Sequence, residues 1–345
     1  MSNPPLPLSQ RSRATGRVTL SDVAQLAGVS PITVSRALRG QRAVDADLIA
    51  RVKDAAHKLG YVPDPAARAL ASRHGSHVAV LVPMLSNALF VELIEAVQRT
   101  LRPAGFQTLL GITHYDQAEE EQILTEQLQH RPAGLLLTGL DRSEATRQLI
   151  ARSGVPCVHL MALSDAPGVY SVGLSQANAA AALTRHLVAR GHRRIAFAAA
   201  QLDSRTLQRR DGWRDALAAE GLHDPRLEWL NPAPSSLAIG GLMFEQIMGQ
   251  TPPVDAIFFC NDDLAQGALL AALRLGIAVP GHVAIAGFND LTGSDQMLPP
   301  LTTVRTPRAE IGAVAARMLL GLVRGEAPAA SRVDLGFEVI VRGST

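Results

Sequence analysis

Val18-Thr-Leu-Ser-Asp-Val-Ala-Gln-Leu-Ala-Gly-Val-Ser-Pro-Ile-Thr-Val-Ser-Arg-Ala-Leu-Arg-Gly40 reads as two short helices around a tight turn. Thr19 is placed to cap a first helix whose apolar side is Leu20, Val23, Ala24 and Ala27, and Gly28 permits the left-handed backbone of a sharp turn. Ser30 caps the second helix. Pro31 opens it where a missing N–H costs nothing, and Gly40 closes it. Val34, Ala37 and Leu38 share the inward stripe, which leaves Ile32, Ser35, Arg36 and Arg39 facing out. An exposed isoleucine four residues before an arginine suits a DNA major groove, where an apolar group meets a thymine methyl and a guanidinium forks onto guanine. The competing reading is a helical hairpin with an ordinary solvated face.

A third helix is predicted from its cap Asp45 through Ile49, Val52, Ala56 and Leu59 to Gly60. With it, the run T-L-x-D-V-A-x-x-A-G-V-S-x-x-T-V-S-R and the closing Leu59-Gly60-Tyr61 closely resemble the lac repressor family of bacterial transcriptional regulators, and the likeness continues from Arg17 to about Arg342. The resemblance implies DNA contacts from Thr19, Ser30, Pro31, Ile32, Thr33, Ser35, Arg36 and Arg39. It implies a homodimer on a palindromic operator in double-stranded DNA.

Charge divides the chain in two. Residues 1–75 carry 11 Lys and Arg against 5 Asp and Glu, a net of +6, while residues 76–345 carry 22 against 26, a net of −4. A basic end on a mildly acidic body points to a polyanion at the N-terminal part alone. Cys157 and Cys260 both sit in apolar runs and read as buried structural thiols, which fits a reducing, cytoplasmic compartment. No stretch approaches the roughly 18 apolar residues of a membrane span. The first sixteen residues lack the apolar core of a secretory signal and read as a disordered tail.

Domain boundaries follow: a tail over 1–16, a helix-turn-helix head over 17–62, a joint over 63–75 and a body over 76–345. In the joint, Pro63 ends what precedes it and Pro65 opens an alanine-rich segment to Ser72, too short to be a stable helix alone. A plain linker is the competing reading. The family resemblance implies a hinge helix paired with its dimer mate in the minor groove, with Leu70 as the wedge and Arg68 and Arg73 near phosphates.

The body alternates short β-branched or leucine-rich runs with amphipathic stretches, the pattern of a parallel sheet covered on both faces. The rhythm restarts after Val172. Two doubly wound α/β lobes of periplasmic-binding-protein type result, the first over about 76–175 plus 307–329, the second over about 176–304 plus 330–342. Late crossings between lobes are expected near Pro300 to Pro307 and again before Val333.

Ligands of such sheets sit beyond the carboxyl ends of the strands, so two facing lobes share one cleft. Ser86, Asn87 and Phe90 follow the first strand. Asp203-Ser-Arg-Thr, Asn261-Asp262 and Phe288-Asn-Asp follow three strands of the second lobe. By family position the effector contacts fall at Arg205, Thr206, Arg209, Asn261 and Asn289, with Asp262 bracing its loop and Trp213 in the core. Members that bind neutral sugars or purines usually have aspartate where this chain has Asn289. Asparagine keeps the hydrogen bonding without the charge, and two nearby arginines suit a carboxylate. Together with Ala200-Gln-Leu-Asp-Ser-Arg-Thr and Cys260-Asn-Asp-Asp-Leu-Ala, this resembles the gluconate repressor branch, which implies gluconate or a keto derivative as effector. 2-Ketogluconate or a phosphorylated sugar is the alternative, and arginines that merely pair with Asp203 and Asp211 are the bland reading. No P-loop, Gly-x-Ser-x-Gly or metal-spaced histidines occur, so neither catalysis, a metal nor a cofactor is expected. A sugar-binding protein without DNA function would lack the basic head. The chain stops just after its last strand, so no tetramerising tail is expected.

Overall fold

The computed structural model describes residues 18–38, 45–62, 75–86 and 88–345. The chain divides into two units, residues 1–75 and 76–345. Gly40, Pro63 and the candidate contacts Arg39, Arg68, Leu70, Arg73 and Asn87 lie outside the described residues.

Among its described residues the first unit has three helices, α1 (Leu20–Ala27), α2 (Pro31–Leu38) and α3 (Ala46–Leu59). Thr19 and Asp22 cap each other's backbone N–H at the start of α1, and Gly28 ends the helix at φ +67°. This reciprocal box satisfies two amide donors that the helix itself leaves unpaired. Ser30 Oγ accepts the Thr33 N–H at 3.2 Å, so α2 starts where the chain composition predicts. Asp45 caps α3. Val23, Val34 and Val52 are fully buried where the three helices meet, joined by Ala24, Ala27, Ala37 and Ala55. That core fixes which side of α2 points outward.

The second unit begins with β1 (His77–Val82), α4 (Ala88–Leu101), β2 (Gln107–Ile112), α5 (Gln117–Gln129), β3 (Gly134–Thr138), α6 (Glu144–Ser153), β4 (Cys157–Leu160) and β5 (Tyr170–Gly173). It continues through α7 (Gln176–Ala189), β6 (Ile195–Ala200), α8 (Ser204–Ala219), β7 (Glu228–Asn231), α9 (Leu237–Met248), β8 (Ala256–Phe259), α10 (Asp262–Leu275) and β9 (Ala284–Ala286). The closing elements are β10 (Thr303–Arg305), α11 (Arg308–Val323), β11 (Arg332–Asp334) and β12 (Glu338–Ile340).

Two sheets form. The first has the order β11-β5-β4-β3-β1-β2 and the second β7-β6-β8-β9. Every pairing within them is parallel. Their central strands are covered on both faces, which is why β1, β6 and β8 read as unbroken apolar runs rather than alternating ones. An antiparallel pair, β10 with β12, adjoins the second sheet through bridges Ala286 to Thr302 and Asn289 to Arg305.

One boundary differs from the sequence reading. Residues 332–334 form β11 and pair in parallel with Ser171, Val172 and Gly173 of the first sheet. The second late crossing therefore follows Asp334 instead of preceding Val333, and the first lobe keeps this edge strand. Nothing in three residues with an exposed arginine and aspartate signals an edge strand, since only the apolar β5 beside it selects the pairing.

Trp213 is fully buried, its ring 5.7 Å from that of Phe197, so it is core as expected. Cys260 is buried and Cys157 half-buried, and burial pushes both thiols up to about 12. Neither is reactive at neutral pH.

Helices of the second lobe approach at glycines. A Cβ on Gly267 of α10 would lie 1.9 Å from Leu237 O, and one on Gly240 of α9 would lie 2.1 Å from Leu264 O. Both neighbours are backbone and have nowhere to go. Gly267→Ala is therefore expected to cost about 1–3 kcal/mol, the range for overpacking. Urea unfolding followed by circular dichroism measures it, and a midpoint equal to wild type would contradict the close packing.

Candidate functional site: an inter-lobe cleft and an exposed helix face

On the first unit, α2 presents Ile32 at 66% exposure beside an exposed Arg36 and Pro31. A large aliphatic group that open to water, on a helix whose other face is fully packed, is a contact surface rather than core. Thr19 and Ser30 are spent on capping, and Thr33 Oγ1 lies 2.8 Å from Ser30 Oγ. Ser35 is half-buried.

In the second unit, the carboxyl ends of the two sheets face one cavity of about 290 Å³. The first lobe walls it with Pro83, Thr113, Tyr115, Asp116, Thr138 and Asp141. Glu120 completes that wall, and Gln201, Asp203, Arg205 and Pro232 form the facing one.

Arg205 dominates this space. Asp203 caps α8, accepting the Arg205 and Thr206 backbone N–H groups, and its other oxygen takes Arg205 Nη2 at 3.1 Å. Arg205 Nη2 also donates to the Tyr115 hydroxyl across the cleft at 3.4 Å. The guanidinium lies 5.7 Å from the Phe90 ring and 5.9 Å from the Tyr115 ring, within cation–π range of both. Burial disfavours its charge, yet the Asp203 carboxylate outweighs burial and holds the proton on well above the ordinary arginine value. Arg205 Nη1 is buried and has no hydrogen-bond partner among the described residues. A buried unpaired donor of this kind is costly and rare.

A second cluster is hydrogen-bonded within itself. Arg209 Nε donates to Gln176 Oε1 at 2.9 Å, its Nη1 donates to Cys260 O and Asn261 Oδ1, and its guanidinium stacks 3.9 Å from the Phe288 centroid. Asn289 Nδ2 donates to the same Asn261 oxygen at 3.1 Å. Because Asn261 Oδ1 must be met by donors, the amide of Asn289 turns its NH₂ inward and leaves Oδ1 buried without a partner among the described residues. Asp211 pairs with Arg210 and Arg214 and not with Arg209.

The expected contacts thus separate. Arg205 walls the cavity, with Phe90 against its guanidinium and Thr206 tied to its cap. Arg209, Asn261 and Asn289 form one hydrogen-bonded group. Ser86 stands apart, its hydroxyl 3.5 Å from Met84 Sδ.

Three residues escaped the sequence reading. Tyr115 reaches Arg205 from the other lobe. Gln176 donates to Met161 O of the first lobe while holding Arg209, a second bridge between lobes. Arg308, at the start of α11, joins Glu92 of α4 at 2.9 Å and donates to the Asn289 and Asp290 carbonyls of the second lobe. All three come from distant parts of the chain, so no local motif marks them.

Asp262 braces the Asn289 loop as expected. Fully buried, it accepts from Thr303 Oγ1 at 2.6 Å, the Leu291 N–H at 2.7 Å and Ser294 Oγ at 3.1 Å. Among the described residues, no group of three or more His, Cys, Asp or Glu is placed to hold a metal ion, and no helix is long and apolar enough to cross a membrane.

Comparison with known proteins bears on both units. Residues 19–64 match the family described as bacterial regulatory proteins, lacI family, and residues 184–345 match the periplasmic binding protein-like domain. The HTH-type transcriptional regulator GntR of Pseudomonas aeruginosa is 53% identical over 336 residues, covering 97% of this chain and 98% of its own. Its Escherichia coli K12 namesake is 34% identical over 328 residues, covering 95% and 98%. The crystal structure of transcription regulator GntR from Chromobacterium violaceum is 49% identical with a TM-score of 0.76, covering 78% of this chain and 98% of its own. The lac repressor dimer bound to operator and the anti-inducer ONPF is 25% identical with a TM-score of 0.84, covering 95% and 99%.

Burial pushes the Asp262 carboxyl up to about 6, against the pull of its three hydrogen-bond donors. With the folded value above the ordinary carboxylate one, the native state binds the proton more tightly than the unfolded chain. The group therefore adds stability as pH falls through about 6 and withdraws it as pH rises. Asp262→Asn does not titrate. The wild-type advantage in urea midpoint over this variant is expected to widen as pH is lowered from about 7 to about 5, and a pH-independent difference would contradict the assignment.

Proposed function

The chain belongs to the lacI family of bacterial regulatory proteins, and on that premise we propose that its operator binding is controlled by an unphosphorylated sugar acid, gluconate or a keto derivative, held in the inter-lobe cleft. As a family member it is a DNA-binding transcriptional regulator with a small-molecule effector, and not an enzyme.

The observation that carries the effector reading is the buried, permanently charged Arg205 with one nitrogen unpaired in the cavity wall. A carboxylate is the group that answers it, by a charge-assisted hydrogen bond. Asn289, hydrogen-bonded to Asn261, carries no charge to repel an acid. Asp116, Glu120, Asp141 and Asp203 also line the cavity. Acidic walls accept hydrogen bonds from a polyol chain, and they oppose a second anionic group, which weighs against a phosphorylated sugar.

On the DNA side, α2 is the reading helix, with Arg36 on a base edge and Ile32 against a thymine methyl. Two copies of the chain meet a palindrome. Exposed leucines on the paired helices α9 and α10, Leu237, Leu242, Leu270 and Leu273, supply apolar surface for a partner copy. Acid binding favours one arrangement of the two lobes, and the heads are released as that arrangement becomes populated.

Two substitutions test the two halves. Gel shifts on the operator with increasing gluconate are expected to show release for wild type and none for Arg205→Ala, and a variant that still responds would move the acid elsewhere. Arg36→Ala is expected to lose about 1–3 kcal/mol at one half-site base pair, levelling preference there. Equal weakening on every sequence would remove the base-reading role.

A further inference from the structure

Tyr115 occupies a built position. The loop after β2 turns back through two left-handed residues, His114 at φ +46° and Tyr115 at φ +61°. Backbone hydrogen bonds lock it, from Thr113 N–H to Val82 O at 3.1 Å, from His114 N–H to Pro83 O at 2.8 Å and from Asp116 N–H to Thr113 O at 2.7 Å. Non-glycine residues with such angles are uncommon and cost conformational energy, so two in succession point to a position set by tertiary contacts. The result is a phenol held over the cavity from the first lobe, its hydroxyl against Arg205 of the second.

The hydrogen-bond count at this contact is incomplete on both sides. The Tyr115 oxygen accepts from Arg205 Nη2, which leaves its own O–H proton without an acceptor among the described residues. Arg205 Nη1 is likewise unspent. Tyr115 and Arg205, from opposite lobes, both line one cavity, and among the described residues each keeps a donor without an acceptor. Burial raises the Tyr115 pKa above its ordinary value, so the phenol keeps its proton at neutral pH.

We propose that the effector's carboxylate bridges the lobes, one oxygen taking Arg205 Nη1 and the other the Tyr115 O–H, so that Tyr115 is a specificity residue for acids over their neutral analogues. This inference rests on the sugar-acid reading of the cleft. A carboxylate offers two acceptor oxygens side by side, whereas an amide offers one oxygen and an NH₂ that meets a donor head-on. The clamp therefore selects the acid. It also makes the acid the element that ties the first lobe to the second, because neither donor is satisfied by its own lobe.

The test is calorimetric titration of the full chain, wild type and Tyr115→Phe, with gluconate and with gluconamide. Phenylalanine keeps the ring against the guanidinium and removes only the hydroxyl. Gluconate affinity is expected to fall about ten- to a hundredfold in the variant, as for a lost hydrogen bond to a charged group. Gluconamide affinity should change little, so the acid-to-amide preference collapses. Unchanged gluconate binding by the variant overturns the clamp while leaving the sugar-acid reading intact. An equal loss for acid and amide also overturns it, since the hydroxyl would then serve some other part of the ligand. A wild-type chain that binds gluconate no better than gluconamide overturns the sugar-acid reading and the clamp with it.

Discussion

A guanidinium half committed and half free organises the cleft. Asp203 fixes one nitrogen of Arg205 while capping α8, and the aromatic faces of Phe90 and Tyr115 flank the group. The other nitrogen is buried with nothing to bind. Removing a cation from water is expensive, and the Asp203 carboxylate offsets that cost while leaving this nitrogen without a hydrogen-bond acceptor among the described residues. On the reading proposed above, a ligand carboxylate answers the remaining donor where both lobes line the cavity.

Several polar side-chain contacts also cross between the lobes, beside one apolar cluster that holds residues of both. Tyr115 to Arg205, Gln176 to Met161 and Arg308 to the Asn289 and Asp290 carbonyls are hydrogen bonds of this kind. The apolar residues inside each lobe pack to near-zero exposure, and close-packed cores resist continuous deformation. Arg308 joins α4 and α11 of the first lobe to the loop that carries Asn289.

Much of this was legible in the sequence because it depends on neighbours along the chain. Thr19 with Asp22, Ser30 before Pro31, and Asp45 before α3 are local caps, and their composition alone located three helices. Arg205, Asn261 and Asn289 follow strands whose apolar runs are unmistakable, and the rule that ligands gather at strand ends points to all three, of which Arg205 lines the cavity. Asp262 and Trp213 were recognised as structural for the same reason. The missed features are tertiary. Tyr115 sits on the opposite lobe from its partner, Gln176 meets Arg209 thirty-three positions away, and Arg308 meets Glu92 over 216 positions. The edge strand at Arg332 to Asp334 is likewise chosen by its neighbour β5 and not by its own residues. Sequence reading treated Arg205 and Arg209 as a matched pair, yet their surroundings assign them different work: Arg209 is committed to Gln176, Cys260 and Asn261, whereas Arg205 keeps a free nitrogen.

On the proposed function, occupation of the cleft and occupation of DNA oppose each other through one equilibrium. Thermodynamic linkage makes this measurable from either end, because the factor by which the acid weakens operator binding must equal the factor by which operator weakens acid binding. The most direct measurement is the dissociation constant of gluconate for the full chain, determined by calorimetry alone and again with saturating operator duplex. The account predicts weaker gluconate binding on the operator complex, by the same factor as gluconate lowers operator affinity. Equal gluconate affinity in the two titrations would contradict it.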